Sequence, residues 1–479
     1  MIKTTQIQSW LFLIFILGFH TACQQDPNLT PTNAHIDFVQ QYGSSSKQIA
    51  ADVKQTPDGG YIMVGSAYSQ ATEVEADILV IKTDAAGIEQ WSVLLGKAAG
   101  MGTGALSNEY VRYDELAVKV ELLPNNGGYV IAGNRTYVAY PNAASTVGTK
   151  HQSKIVLYEL DLNGGLSVVN GTELKEGKES TEMLSDFKLD ENNGVIKYVL
   201  TGYTTDITTN KPIDPDNGIY DLTDIFTTVL DDSFTPLWFA GNSTYGFSGK
   251  DYGTSIQILP DAYLVIGTVQ EKDGNNGFNS KLAAIKMRKD NGMPLSPKYF
   301  GDQDYDLAGG HSTYNPSTQK ITITGHAKNS SLVNANQVFV LQVDEALNTQ
   351  YPNGTNSSTY GFKFLGLTAP SSLSLGSTYE AASIDWLPNN EGFVIAVTHE
   401  DQLGTDIGIV NLEANFDLRS GWPYYQGTIG NRSNELAATV IAATNSANNQ
   451  AVITFTGTFE ANTNTSQIGL VQLNTTTAL

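Results

Sequence analysis

The chain has 479 residues and a formal charge of −22 at pH 7; only 16% of its residues are charged, whereas 41% are hydrophobic. This length allows two or three ordinary domains or one large closed β domain. The negative charge argues against a protein-wide basic face for phosphates, so we expect no nucleic-acid partner. The 45 glycines and 23 tyrosines favour β structure over helical bundles.

The first residues have the composition of a secretory signal. Lys3 precedes the apolar run "WLFLIFILGF" (Trp10–Phe19), and "HTAC" follows and ends at Cys23, the only cysteine of the chain. A positive start, a short apolar core and small residues before the cut predict a signal peptide over residues 1–22. Thr21, Ala22 and Cys23 resemble the lipobox of bacterial lipoproteins, which implies cleavage before Cys23 and a diacylglycerol on its sulfur. The alternative is an ordinary signal peptide with an unmodified cysteine.

Residues 23–34, "CQQDPNLTPTNA", are polar and contain proline, which is typical of a tether. In lipoproteins of the enteric type, a residue such as Gln24 after the cysteine fits sorting to the outer membrane. The resemblance therefore implies an outer-membrane lipoprotein of the cell envelope, attached to the membrane through the lipid on Cys23. The side of display stays open. Residues 35–479 are predicted to form a single domain.

One phrase recurs along this domain. "PDGGYIMVGSAY" (Pro57–Tyr68) and "PNNGGYVIAGNR" (Pro124–Arg135) share a polar turn followed by an apolar strand that ends in glycine. Asn-Gly and Asp-Gly pairs tolerate positive φ and close tight hairpins. The same phrase is found seven times, and its glycine position is occupied by Gly65, Gly133, Gly202, Gly267, Gly325, Val397 and Gly457.

A second apolar strand follows each phrase after a connection of variable length. These strands are predicted at Asp77–Asp84, Lys154–Asp161, Asp224–Asp231, Lys281–Arg288, Gln337–Asp344, Asp406–Glu413 and Gln467–Asn474. A shorter edge segment comes next, as in "IEQWSVLLG" (Ile88–Gly96). Each unit is therefore interpreted as four antiparallel strands, and the whole as an all-β, seven-bladed β-propeller.

The two ends of the repeat array support a closed ring. The segment "IDFVQQYG" (Ile36–Gly43) has the form of a fourth strand but follows no unit, and the seventh unit lacks its fourth strand. We expect the first segment to complete the last blade, near Leu470, because closure removes an exposed sheet edge. An array of two β-sandwich domains is the alternative, and it does not explain the divided unit.

The first unit carries a family resemblance. "DVKQTPDGGYIMVG" (Asp52–Gly65), followed by "DILVIKTDAAGIEQW" (Asp77–Trp91), resembles the repeat of β-propeller lipoproteins of the Gram-negative cell envelope. The resemblance implies the propeller fold and an envelope location; the function of that group is mostly unassigned. "DAAGIEQW" and "DDSFTPLW" (Asp231–Trp238) also resemble the tryptophan-docking repeat of quinoprotein-type propellers. The alternative for both tryptophans is simple packing between sheets.

A carboxylate followed by small residues recurs just before the first strand of five units. The residues are Asp114, Asp251, Asp306, Glu380 and Glu435. Because first strands line the channel of a propeller, these carboxylates are predicted to ring one mouth of it and to bind a cation or a basic group. The alternative is that each accepts backbone hydrogen bonds and locks neighbouring blades together.

The histidines lack zinc-site spacing and there is no second cysteine. Asp214 and Asp216 in "DPDNGIYDLTD", and Asp302 and Asp304 in "GDQDYDLAGG", are weak calcium candidates, with solvated turn-forming loops as the alternative. We expect no resident cofactor, and calcium is the one metal kept open.

No catalytic motif is found, so the leading hypothesis is a monomeric binding or scaffold module for an envelope protein or a glycan. Loop aromatics are predicted to supply flat contacts: Tyr137, Tyr140, Tyr220, Phe278 and Tyr360. Two alternatives stay open: a scaffold for outer-membrane assembly, and a carbohydrate-active enzyme that uses carboxylates at the channel mouth.

Overall fold

The structure is a computed structural model. It describes residues 34–43, 46–68, 75–102, 106–145, 148–168, 171–174, 181–205, 223–238, 244–246, 249–272, 278–301, 305–329, 336–350, 362–365, 378–401, 404–426, 434–444, 451–460 and 465–475. The predicted signal peptide, Cys23 and nearly all of the tether lie outside these residues. Within the described part, no helix is both long enough and apolar enough to cross a membrane.

The described residues form seven antiparallel sheets arranged as the blades of a propeller, as predicted. A single strand, β1 (Ala34–Tyr42), comes first. Blade one consists of β2 (Gln48–Gln55), β3 (Tyr61–Tyr68), β4 (Ala76–Thr83) and β5 (Glu89–Leu95). Blade two consists of β6 (Gly100–Met101), β7 (Tyr110–Leu123), β8 (Gly128–Tyr140), β9 (Thr149–Leu160) and β10 (Thr172–Glu173). Its short β6 pairs with β7, so this sheet has five strands where four were predicted.

The other blades have four strands each. Blade three consists of β11 (Glu182–Asn192), β12 (Val195–Thr205), β13 (Thr223–Leu230) and β14 (Thr244–Tyr245). Blade four consists of β15 (Tyr252–Ile258), β16 (Ala262–Lys272), β17 (Phe278–Arg288) and β18 (Lys298–Phe300). Blade five consists of β19 (Tyr305–Asn315), β20 (Lys320–Asn329), β21 (Asn336–Asp344) and β22 (Lys363–Phe364). Blade six consists of β23 (Thr378–Trp386), β24 (Gly392–Asp401), β25 (Gly404–Glu413) and β26 (Tyr424–Gln426).

Blade seven closes the ring. Its strands β27 (Leu436–Thr444), β28 (Ala451–Phe459) and β29 (Gln467–Thr475) are completed by β1, in the order β1-β29-β28-β27. β1 runs antiparallel to β29, with Ala34 opposite Thr475, Gln40 opposite Leu470 and Tyr42 opposite Ile468. The predicted closure by the first segment is confirmed.

The repeated glycine lies where the second strand of a blade meets the inner strand. A Cβ on Gly202 would lie 1.9 Å from the Met183 carbonyl oxygen, and one on Gly65 would lie 2.4 Å from the Ile49 carbonyl oxygen. Only hydrogen fits such a space, because a close backbone neighbour cannot rotate away as a side chain can. This steric requirement explains why the glycine recurs.

Blade six places its glycine differently. Val397 occupies the repeat position, and the residue opposite it on the next strand is Gly408. A Cβ on Gly408 would lie 2.7 Å from Cγ2 of Val397. In blade six the larger residue therefore lies on the second strand and the glycine on the third. This exchange of a large and a small residue conserves the packed volume.

The residue after the repeat position connects several blades to the next one. The backbone N–H of Ala117 donates to the Ser66 hydroxyl at 3.0 Å, and that of Leu184 donates to Oδ1 of Asn134 at 2.8 Å. The seventh blade is joined to the first in the same way, since the N–H of Ala50 donates to the Thr458 hydroxyl at 3.0 Å. The repeat therefore encodes both a tight strand contact and a polar link between blades.

Trp91 shows how the outer strands contact the next blade. Its indole Nε1–H donates to the Leu162 carbonyl at 3.2 Å, and its ring lies 6.1 Å from that of Tyr129. A Cβ on Gly164 would lie 3.0 Å from the Trp91 ring, so the glycine turn of blade two leaves room for the indole. The buried ring of Trp238 packs 5.6 Å from that of Tyr263 in blade four. Both tryptophans thus lie between neighbouring sheets.

The apolar core is divided among the contacts between blades. The described residues form seven clusters of buried side chains, and each cluster joins two neighbouring blades. In the cluster that links the last blade to the first, Ile468 and Leu470 pack with Val53 and Met63. Each fully buried aliphatic side chain contributes about 1.5–3 kcal/mol, so the clusters hold the ring together without a disulfide.

Candidate functional site

The seven inner strands surround a polar cavity of about 240 Å³. Every inner strand has a β-bulge at the same level, which shifts its register by one residue. The bulged residues are Ala51, Val118, Ser185, Thr254, Gly310, Ala382 and Ala438. A bulge bends a strand and changes the direction of the side chains that follow it. In all seven blades, at least one of the next three residues lines the cavity.

Seven titratable side chains line this central cavity. They are Asp52, Asp186, Asp385, Lys54, Lys119, Lys188 and His311. Three ammonium groups and three carboxyl groups thus share one small cavity in the middle of an acidic protein. The polar lining is completed by hydroxyl groups, those of Ser185, Ser255, Ser312, Ser383, Thr254, Thr313 and Thr439.

The three aspartates are bound by the protein itself. Asp52 accepts from the N–H of Val120 in the next blade at 3.1 Å. Asp186 accepts from the N–H of Phe187 at 2.9 Å and from that of Ile256, in the next blade, at 2.8 Å. Asp385 accepts from the N–H of Trp386 and of Ala442, both at 2.9 Å. These carboxylates therefore join blade one to two, three to four and six to seven.

The lysines reach into the cavity with fewer partners. Lys119 contacts Oδ1 of Asp52 at 3.3 Å, and Lys54 contacts Oε1 of Glu121 at 3.1 Å. About a quarter of each lysine side chain is exposed, against 1% of Asp52. Burial disfavours the charge on Asp52, but Lys119 and Lys54 outweigh it and hold the pKa of that carboxyl below its usual value. The carboxylate is thus ionised at neutral pH.

His311 is neutral at pH 7. Burial, with the positive charge of Lys119 as a second cause, lowers the pKa of this imidazole to about 4. Asp385 shows the opposite effect for the same main reason, since burial raises the pKa of its carboxyl. The interior of the ring therefore resists additional charge that has no partner.

A larger groove of about 640 Å³ lies outside the channel, along blade one. It is lined by residues of β2 to β5 and by the link from β1 to β2, and it contains two acidic residues, Asp77 and Glu89. Burial, followed by the charges of Glu115 and Glu75, raises the pKa of Asp77 to about 6. The groove gathers residues of one blade and its edge, whereas the central cavity gathers functional groups from all seven blades. We therefore take the cavity as the candidate site.

The five carboxylates predicted at the channel mouth lie outside the cavity lining. Asp114 accepts from the N–H of Ala76, and Asp306 from that of Ser280, each in the preceding blade and at 3.1 Å. Asp251 accepts from the N–H of Gln270 at 2.7 Å. Asp114 and Asp306 match the alternative in which the carboxylates support blade contacts, whereas the Asp251 carboxylate bonds within blade four. Glu380 is exposed and Glu435 is buried; binding by the five residues stays a prediction.

Glu435 differs from the others because one of its oxygens, Oε2, is buried without a hydrogen-bond partner in the described structure. Burial, followed by the charges of Asp406 and Glu460, raises the pKa of this carboxyl to about 8. At neutral pH the protonated form is therefore favoured.

We expect Glu435→Gln to stabilise the protein increasingly as pH rises. An unfolded glutamate loses its proton near its model value of 4.5, whereas folded Glu435 keeps it to about 8. Folding of the parent thus takes up a proton between these values, and its stability falls with pH by up to roughly 1.4 kcal/mol per unit. Glutamine cannot ionise, so this loss disappears. The difference in denaturant midpoint between Glu435→Gln and the parent, measured at about pH 5 and about pH 8, checks this prediction.

The control for this experiment is Glu413→Gln, which changes an exposed glutamate of blade six. Its unfolding midpoint should follow that of the parent at both pH values. A constant difference between Glu435→Gln and the parent over this range would show that Glu435 ionises normally in the fold.

Several predicted residues lie outside the described structure. These are Cys23, the calcium candidates Asp214, Asp216, Asp302 and Asp304, and the loop aromatics Tyr220 and Tyr360; the Phe278 side chain is also not described. Within the part of the chain that the structure describes, no group of three or more His, Cys, Asp or Glu side chains could hold a metal ion.

The prediction of loop positions for Tyr137 and Tyr140 is wrong. Both lie in β8, and Tyr140 is fully buried. The Tyr140 hydroxyl donates to Glu75 at 2.8 Å, and that of Tyr137 donates to Glu173 at 2.7 Å. The strand is longer than the sequence pattern suggested, so these rings pack in blade two.

Comparison with known proteins gives similarity of fold alone. No protein-family model matches the sequence, and no curated protein matches it. A Dyadobacter fermentans protein of unknown function aligns over 93% of this chain and 100% of its own, with a TM-score of 0.47 and 8% identity. The Pan2 WD40 domain of Neurospora crassa aligns over 94% of this chain and 97% of its own, with a TM-score of 0.46 and 8% identity. An α-L-arabinofuranosidase of Lactobacillus brevis covers 71% of this chain and 98% of its own, with a TM-score of 0.34 and 12% identity.

Proposed function

We propose that this chain is a lipid-anchored binding or scaffold module of the cell envelope, with a protein or a glycan as its partner. The observation that carries the proposal is a closed ring with connections of very different length at one end. The link from second to third strand spans residues 69–75 in blade one, 206–222 in blade three and 402–403 in blade six. Variable connections on a rigid scaffold are typical of recognition surfaces.

The long connection of blade three offers a direct test of partner binding. Replacing residues 206–222 with a short Gly/Ser linker should abolish crosslinking of the full chain to its envelope partner, or its signal on a glycan array. A matched control replaces the turn 289–293 with the same linker. This turn belongs to blade four and lies at the end of the ring opposite to residues 206–222. Equal binding by the parent and both variants would contradict recognition through this connection.

The anchor is tested separately with Cys23→Ala. The parent should fractionate with membranes and carry the mass of a diacylglycerol, whereas the variant should leave the membrane fraction and lose that mass. A single diacylglycerol supplies two chains, which suffices for stable attachment. An unmodified Cys23 in the parent would favour the ordinary signal peptide.

A carbohydrate-active enzyme is the second candidate, and the three cavity aspartates do not favour it. At least one oxygen of each is held by a backbone N–H, which leaves less freedom for acid–base exchange than a glycosidase pair needs. Hydrolysis of a polysaccharide panel, lost in Glu380→Gln with the fold retained, would support the enzyme instead.

A further inference from the structure

The central cavity presents hydrogen-bond donors that the fold does not use. An ammonium group carries three N–H donors. The ammonium group of Lys188 makes no ion pair or hydrogen bond with any residue that the structure describes, although this side chain lines the cavity. Lys54 and Lys119 each make one such contact. Most of the lysine donors are therefore available to a ligand.

The carboxylate acceptors of the cavity, unlike the lysine donors, already receive hydrogen bonds from the protein. Asp186 and Asp385 receive backbone N–H groups on both oxygens, and Asp52 receives Lys119 on one and Val120 on the other. The aspartates thus fix the ring, while the lysines face the open space. An incoming molecule meets an excess of free donors, which selects a ligand rich in acceptors.

The size and charge of the cavity narrow the ligand further. A volume of about 240 Å³ lies below that of pockets for drug-sized molecules. The cavity holds three lysines and three aspartates, and His311 is neutral at pH 7. The aspartate oxygens are already taken by backbone N–H groups and by Lys119, so the free ammonium groups select the ligand. Hydrogen bonds from an ammonium group to an oxyanion are roughly twice as strong as neutral ones.

We infer that the central cavity binds a small oxyanion, a carboxylate or phosphate group on a molecule about the size of a monosaccharide, with Lys188 as its main contact. Lys54 and Lys119 and the hydroxyls of Ser185 and Ser383 complete the donor set; neither hydroxyl has a hydrogen bond within the described residues. This inference deepens the proposed function by adding the class of a small ligand, and it rests on the chain being a binding module.

Calorimetric titration of the full chain with glucuronate, inorganic phosphate and glucose tests the inference. Glucuronate or phosphate should bind, glucose should not, and Lys188→Gln should weaken oxyanion binding at least about tenfold, the loss of roughly one charge-assisted bond. Binding of phosphate alone identifies a phosphoryl ligand, and binding of glucuronate alone a carboxylated sugar. Both results support the inference.

Lys197→Gln is the matched control, because it removes the same charge from blade three at a residue that does not line the cavity. It should bind as the parent does, and both variants should melt with the parent. The inference is overturned if neither oxyanion binds at roughly 10 mM, which corresponds to less than about 3 kcal/mol. It is also overturned if Lys188→Gln binds unchanged. Partner capture through residues 206–222 is measured separately, so the proposed function can stand when this inference fails.

Discussion

Gly202→Ala is expected to destabilise the ring by about 3 kcal/mol, at the upper end of overpacking costs. The new methyl group would meet the Met183 carbonyl oxygen at 1.9 Å, the Met183 carbonyl carbon at 2.9 Å and the Leu184 Cα at 3.0 Å. All three are backbone atoms, so relief requires β11 and β12 to separate. The measurement is the guanidinium unfolding midpoint, with the slope recorded to check that the transition stays comparable.

Gly100→Ala is the control for this prediction. It adds the same methyl group in β6, where nothing lies within 4 Å of the new Cβ. Its midpoint should stay close to that of the parent. If Gly202→Ala unfolds at the parent's midpoint, close strand contact is not the reason why glycine recurs in the repeat.

Arg135→Met is expected to cost about 3–5 kcal/mol, because it leaves a buried carboxylate without its cation. Arg135 and Glu115 are 1% and 0% exposed, and Nε of the arginine donates to Glu115 at 2.8 Å. The same guanidinium donates to Glu173 at 2.5 Å and to the Tyr158 hydroxyl at 2.8 Å. Methionine keeps the aliphatic volume but satisfies none of these acceptors, so blade two should unfold at lower denaturant.

Two further variants test whether the loss of stability comes from the unpaired buried carboxylate. Arg288→Met removes an arginine that is 54% exposed and pairs with Asp290, and it should change stability little. The double change of Arg135→Met with Glu115→Leu should recover much of the loss, since no unpaired charge remains. A single variant as stable as the parent would contradict the prediction that the buried Glu115 carboxylate needs Arg135.

The fold could be predicted because its information is local and repeated. A turn and an apolar strand recur seven times, six of them with a glycine, and the glycine is required where two backbones approach each other. Closure could be predicted because β1 has the pattern of an outer strand without a blade. The additional strand β6 of blade two could not be predicted, because a strand of two residues gives no periodic signal in the sequence.

The central cavity could not be predicted, because the bulges break the alternation that identifies a strand's two faces. Asp52 and Lys54 are spaced as if they shared one solvent face, and nothing in "AADVKQ" marks the bulge at Ala51. The sequence pattern instead predicted a site at regularly placed carboxylates such as Asp114 and Asp306. In the structure these two carboxylates accept hydrogen bonds from the preceding blade. The inner strand "AADVK" does carry charged residues after small ones, but this pattern does not locate the bulge.

The pairing of β1 with β29 has a consequence for synthesis. Ala34 is among the first residues of the domain to be made and its partner Thr475 among the last. The earliest strand must therefore wait, unpaired, until more than four hundred residues have been added. Forming so distant a contact is slow, and an unpaired edge is exposed to aggregation meanwhile. A chain that is released from the ribosome too early cannot close the ring, because the pairing of β1 with β29 is not formed. We expect cellular quality control to recognise such unfinished chains by the unpaired strand edge in blade seven.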